Sequence, residues 1–91
     1  MSAAVTPFYE ALGARLRSLR LRGGESLTDI QDRSGGRWQS GTLRAWESGE
    51  RRPGAETITE LAAWYEVSAG WLLTGESDVA DIVLPAEAVA S

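Results

Sequence analysis

Ser40, Gly41, Arg44 and Ser48 recur at spacings of three and four, so on an α-helix they share one face. Their types suit one kind of chemistry. A guanidinium offers a planar fork of donors that matches the two major-groove acceptors of guanine. Small residues such as Ser40 and Gly41 permit close approach, and a helix N-terminus favours nearby phosphate. The opposite side of the same stretch carries Leu43 and Trp46, which are apolar and face inward. Gly49 then closes the stretch, and Glu50-Arg51-Arg52-Pro53 follows as an exposed basic loop. Cations in such a loop most naturally meet phosphate oxygens.

Other chemistry is poorly supplied. The 91 residues include no Cys and no His, so there is no disulfide and the usual zinc ligands are missing. No glycine-rich phosphate loop of the P-loop type and no nucleophile beside a base occurs. The carboxylates are scattered over solvent-facing helix positions. No enzymatic activity, cofactor, metal or small-molecule effector is expected. No apolar run reaches the roughly 20 residues of a membrane span. No secretory signal is expected either, and the expected setting is the cytoplasm.

The net charge of −4 argues at first against an anionic partner. Its distribution argues for one. All nine basic residues are Arg, at 15, 17, 20, 22, 33, 37, 44, 51 and 52, and with the five acids among them residues 15–52 carry +4. Residues 53–91 hold seven acids and no base, for −7. The chain is an electrical dipole whose basic half alone suits phosphates.

The elements that must position these residues can be read in order. Thr6-Pro7 is a helix start, with Thr as N-cap and Pro at the first helical position. Phe8, Leu12, Leu16 and Leu19 form an apolar stripe on a helix running to about Arg22, and Gly23-Gly24 ends it. Arg15, Arg17 and Arg22 lie off that stripe. Ser26 with Asp29 resembles a capping box that opens a second helix. There Leu27 and Ile30 point inward, while Thr28, Gln31 and Asp32 face water. Ser34-Gly35-Gly36 stops it. The third helix covers 39–48. A fourth covers about 55–66 with Ile58, Leu61, Ala62 and Tyr65 inward, and a fifth covers 69–74 between Ser68 and Gly75. The expectation is an all-α domain of five helices over 1–75. Residues 76–91 form an acidic and apolar tail with two open readings: disordered, or docked through Ile82, Val83 and Leu84 on the core or across a dimer.

Two short helices joined by a turn are the helix-turn-helix unit. From Leu12 to Gly75 the chain resembles the lambda-repressor-like (XRE/Cro) family. The resemblance is carried by Leu12-Gly13-Ala14-Arg15-Leu16-Arg17-Ser18-Leu19-Arg20, by Gly24 and Ser26, by Trp46-Glu47-Ser48-Gly49 with Arg52-Pro53, and by Val67-Ser68-Ala69-Gly70-Trp71-Leu72-Leu73-Thr74-Gly75. Two departures stand out. Glu25 replaces a residue that is usually hydrophobic. The turn through Ser34-Gly35-Gly36-Arg37-Trp38 is longer than usual, and in this it looks like the actinobacterial BldD-like DNA-binding domain.

The resemblance implies a five-helix fold that binds double-stranded DNA as a homodimer, with the third helix in the major groove. By position it implies base contacts from Gln39, Ser40, Gly41, Arg44 and Ala45. The expected phosphate contacts are Arg20, Arg37, Ser48, Arg51 and Arg52. Trp38 has two readings, packing or DNA contact. Arg20 and Glu47 are expected to form a mostly buried ion pair between the first helix and the end of the third. The functional expectation is a sequence-specific transcriptional regulator, acting as a repressor. The alternative is a protein-interaction module or antitoxin-like adaptor on the same fold, which the acidic C-terminal half supports.

Overall fold

Each helix starts and stops at the chemistry that the sequence supplies for it. The structure is a computed structural model and describes residues 6–76; all regular structure among them is helical. Helix α1 is Pro7–Arg22, with the Thr6 side chain accepting the Tyr9 N–H at 3.2 Å. Helix α2 is Leu27–Arg33. Its capping box is complete: Ser26 Oγ accepts the Asp29 N–H, and Asp29 Oδ2 accepts the Ser26 N–H at 2.8 Å. The bond from the Ser26 N–H holds the Asp29 carboxyl below its ordinary pKa. Helix α3 is Ser40–Ser48, and α4 is Ala55–Tyr65. Helix α5, Ala69–Thr74, is capped by Ser68 and ends at Gly75. The expectations for 1–5 and for the tail beyond Glu76, including docking or dimer contact through Ile82, Val83 and Leu84, lie outside the described residues.

Helix α1 is the central post. It packs against α3 and α5, while α2 lies on α3 and α4 on α5. Leu12, Leu16 and Leu19 from α1 meet Ile30, Leu43, Leu61 and Leu72 in one core. Phe8 is a correction to the expected stripe: it is 45% exposed, and Tyr9 packs against the core instead. At about 100° per residue, Phe8 lies roughly 80° off the direction of Leu16 and Tyr9 only roughly 20° off. Helix α4 also stops one residue early. Glu66 takes the left-handed conformation, φ 59°, and serves as its C-cap.

Gly13 sets the separation of α1 from α3. A Cβ there would lie 2.5 Å from the Trp46 carbonyl oxygen and 2.7 Å from the Glu47 carbonyl carbon. Both neighbours are backbone and cannot swing aside, so the two helices touch closely only because this position has no side chain.

The long turn between α2 and α3 is folded, not slack. Gly35 and Gly36 both hold positive φ, 66° and 82°. This brings Trp38 back into the core at 6% exposed, edge-on to Trp64 with ring centroids 5.3 Å apart. Of the two readings of Trp38, packing is the one the structure shows. Gln31 corrects another expectation. It is half-buried, and its Oε1 accepts the Ser40 N–H at 2.7 Å. It therefore satisfies one of the orphan donors at the start of α3, which Gln39 does not cap with its own side chain.

Candidate nucleic-acid interface

Helix α3 is held on its inner side and open on its outer side. The inner hold is an ion pair. Arg20 Nε donates to Glu47 Oε2 at 2.8 Å and Nη2 donates to Oε1 at 3.0 Å. Nη1 donates to the Glu25 carbonyl at 2.9 Å. The two side chains are 10% and 9% exposed. The hydrogen bond to Glu47 raises the Arg20 pKa above its ordinary value, against burial, which lowers it. The arrangement ties α1, the start of α2 and the end of α3 at one point. Glu25, which replaces a usually hydrophobic residue, also accepts from Arg33 at 2.5 Å and so adds a second tie across α2. Next to this network Tyr65 is pushed up to about 12, first by burial and then by the Glu47 charge.

The expected site residues divide. Gln39, Gly41 and Arg44 are exposed and Ser40 half-exposed. A Cβ at Gly41 would meet nothing within 4 Å, so that side of the helix faces open space. Gln39 donates from Nε2 to the Gly36 carbonyl at 3.0 Å, which steadies the turn just before the helix. Arg51 and Arg52 are exposed in the loop after α3. The Arg51 N–H donates to the Ala45 carbonyl at 3.2 Å and Pro53 is buried, so the loop is anchored back on α3. The Arg52 guanidinium lies over the Tyr9 ring, 5.3 Å from its centroid.

Four other expected site residues are covered or have partners within the chain. Ala45 is buried, 8% exposed, beneath the returning loop, so it is not on the outward face. Arg20 is committed to Glu47 and Glu25 and is 8% exposed. Arg37 donates to Glu60 at 2.6 Å and joins the turn to α4; that bond raises its pKa. The Ser48 hydroxyl has one proton, which it gives to the Ala45 carbonyl, and its oxygen accepts the Glu50 N–H. As found, it caps the helix end.

The structure thus sorts the arginines. Arg15 donates to the carbonyls of Leu72 and Leu73, both at 2.8 Å, and caps the C-terminus of α5. Arg20, Arg33 and Arg37 hold carboxylates. Among the described residues, Arg17, Arg22, Arg44 and Arg51 have no side-chain partner. Sequence reasoning gave Arg17 no role. In sequence it stands off the apolar stripe, within the basic half of the chain. In the structure it lines an open groove with Arg20, Leu27, Arg44, Glu47 and Ser48.

Among the described residues no group of three acidic side chains is placed to hold a metal ion, and no helix is long and apolar enough to cross a membrane.

No family model and no curated protein matches the chain. Two solved structures do. The BldD DNA-binding domain of S. venezulae is 34% identical, superposes with a TM-score of 0.71, and is covered over 99% of its length by 75% of this chain. A crystal structure of the DNA-binding domain of BldD is also 34% identical, with a TM-score of 0.70, 80% of this chain and 99% of that one. The chain belongs to the BldD-like family of helix-turn-helix DNA-binding domains, of lambda-repressor-like type.

Proposed function

We propose that this chain is a sequence-specific DNA-binding transcriptional regulator that reads the major groove with α3. One observation carries the reading. The outward face of α3 combines small residues, Ser40 and Gly41, with an exposed and unpartnered Arg44, while the helix behind it is fixed by the buried Arg20–Glu47 pair. A rigidly held helix with a low, polar outer face can enter a groove without reorganising. Base contacts fall to Gln39, Ser40, Gly41 and Arg44. Arg51 and Arg52 meet phosphates from the anchored loop. The kinship with BldD DNA-binding domains supports the same partner.

A single helix of nine residues reads few base pairs. The protein therefore binds an inverted repeat as a two-fold dimer, with half-sites about one helical turn apart. Occupancy of such a site acts as repression. Selection from a pool of random duplexes tests the reading. The expected result is enrichment of a two-fold symmetric motif, bound with an affinity that falls steeply with salt. No enrichment and no salt dependence would instead favour a protein-binding module on the same fold.

A further inference from the structure

The groove beside α3 has a floor and two rims. The floor is the Arg20–Glu47 pair with Leu27. Both Glu47 oxygens accept from Arg20, at 2.8 and 3.0 Å, so the floor presents no net charge. The rims are Arg17 on α1 and Arg44 with Ser48 on α3. Both arginines are exposed, and among the described residues neither has a side-chain partner. The groove is open and measures about 230 Å³, room for a small tetrahedral anion and its nearest waters. A neutral, half-apolar floor flanked by two uncompensated guanidinium groups attracts an anion.

We infer that this groove seats one backbone phosphate of the bound duplex, and that Arg17 is its principal cation. The inference rests on the reading of α3 as the groove-entering helix and extends it to α1. Arg44 stands at the opposite rim and is left for a base edge. Phosphate contacts hold a protein on the duplex and carry no sequence information. Arg17 thus adds affinity on any duplex without reading sequence. Arg22 is its natural control. It lies on the same helix, is exposed and unpartnered among the described residues, but borders a different hollow with Trp64 and Glu66.

The test compares wild-type chain, Arg17→Ala and Arg22→Ala on two duplexes, the motif recovered by selection and a scrambled duplex of equal length, over a series of salt concentrations. Thermal melts of both variants check that they fold as wild type. Arg17→Ala is expected to weaken binding by the same factor on both duplexes, and to make the slope of log affinity against log salt shallower by about 0.9 per protomer. Arg22→Ala is expected to leave that slope unchanged. Three outcomes overturn the inference while leaving the DNA-binding reading in place. Arg17→Ala keeps the wild-type slope; or it loses affinity on the motif alone, which makes it a base contact; or Arg22→Ala lowers the slope equally, which makes net charge the cause. A wild-type protein that binds neither duplex overturns the parent reading as well.

Discussion

The inner seam between α1 and α3 and the outer face of α3 use the same amino acid for opposite purposes. On the seam, Arg20 is 8% exposed and three of its donors are spent on Glu47 and Glu25. On the outer face, Arg44 is exposed and, among the described residues, without a side-chain partner. Glycine shows the same contrast. Gly13 lies against backbone with no room for a methyl group, and Gly41 faces open space. The difference teaches how the fold prepares a site. One side of a nine-residue helix is fixed completely so that the other side can stay uncommitted.

The largest effect is expected at Glu47. Glu47→Ala leaves the Arg20 charge buried and uncompensated, at a cost of about 3–5 kcal/mol. For a domain of this size that lowers the melting temperature by well over about 10 °C, if the fold survives. Replacing both partners, as in Arg20→Met with Glu47→Leu, is expected to recover much of the loss, because no charge is left stranded. A Glu47→Ala protein that melts like wild type would remove the seam from the account.

Gly13→Ala ranks next. The new methyl meets the Trp46 and Glu47 backbone, and the helices must part, at about 1–3 kcal/mol. Gly41→Ala is expected to do the reverse. With nothing to clash, the helix gains about 0.5–1 kcal/mol of stability from the lost backbone freedom of the unfolded chain. It should nonetheless weaken DNA binding by crowding the groove. Urea melts of the two variants sharpen the contrast, since the same substitution should move the midpoint in opposite directions.

A smaller effect reports on the seam through pH. Burial raises the Tyr65 hydroxyl from its usual value near 10 to about 12. A raised folded-state pKa means that the folded form holds its proton where the unfolded form has lost it. The stability this represents is complete below about pH 10 and is lost as pH rises toward about 12. Tyr65→Phe should flatten that part of the stability profile. An unchanged alkaline slope in the variant would assign it to other groups.

Much of this architecture was legible in the sequence. The helix limits follow from Thr6-Pro7, the Ser26–Asp29 box, Gly49 and Ser68, which are local signals. The Arg20–Glu47 pair came with the family resemblance. What could not be read depends on contacts distant in sequence. The nine arginines count alike in a charge sum, yet Arg37 is neutralised by Glu60, 23 residues on, and Arg15 is held by carbonyls 57 and 58 residues on. Ala45 sat at a plausible helical phase, but the loop after α3 folds back over it. Gln31 looked solvent-facing until the long turn brought Ser40 to it. Arg17 shares the basic half with eight other arginines, and only packing places it across a groove from Arg44.

If the outer face of α3 reads sequence, Arg44 is the residue at which this shows. The measurement is the affinity of wild type and Arg44→Ala for the selected motif and for a scrambled duplex, at two salt concentrations. The exposed position of Arg44 predicts unchanged folding, within about 0.5 kcal/mol. The expected loss is about 1–3 kcal/mol on the motif, with relaxed preference at one base pair per half-site and little change on the scrambled duplex. An equal loss on both duplexes would contradict it, because Arg44 would then be holding phosphate and the reading face would lie elsewhere.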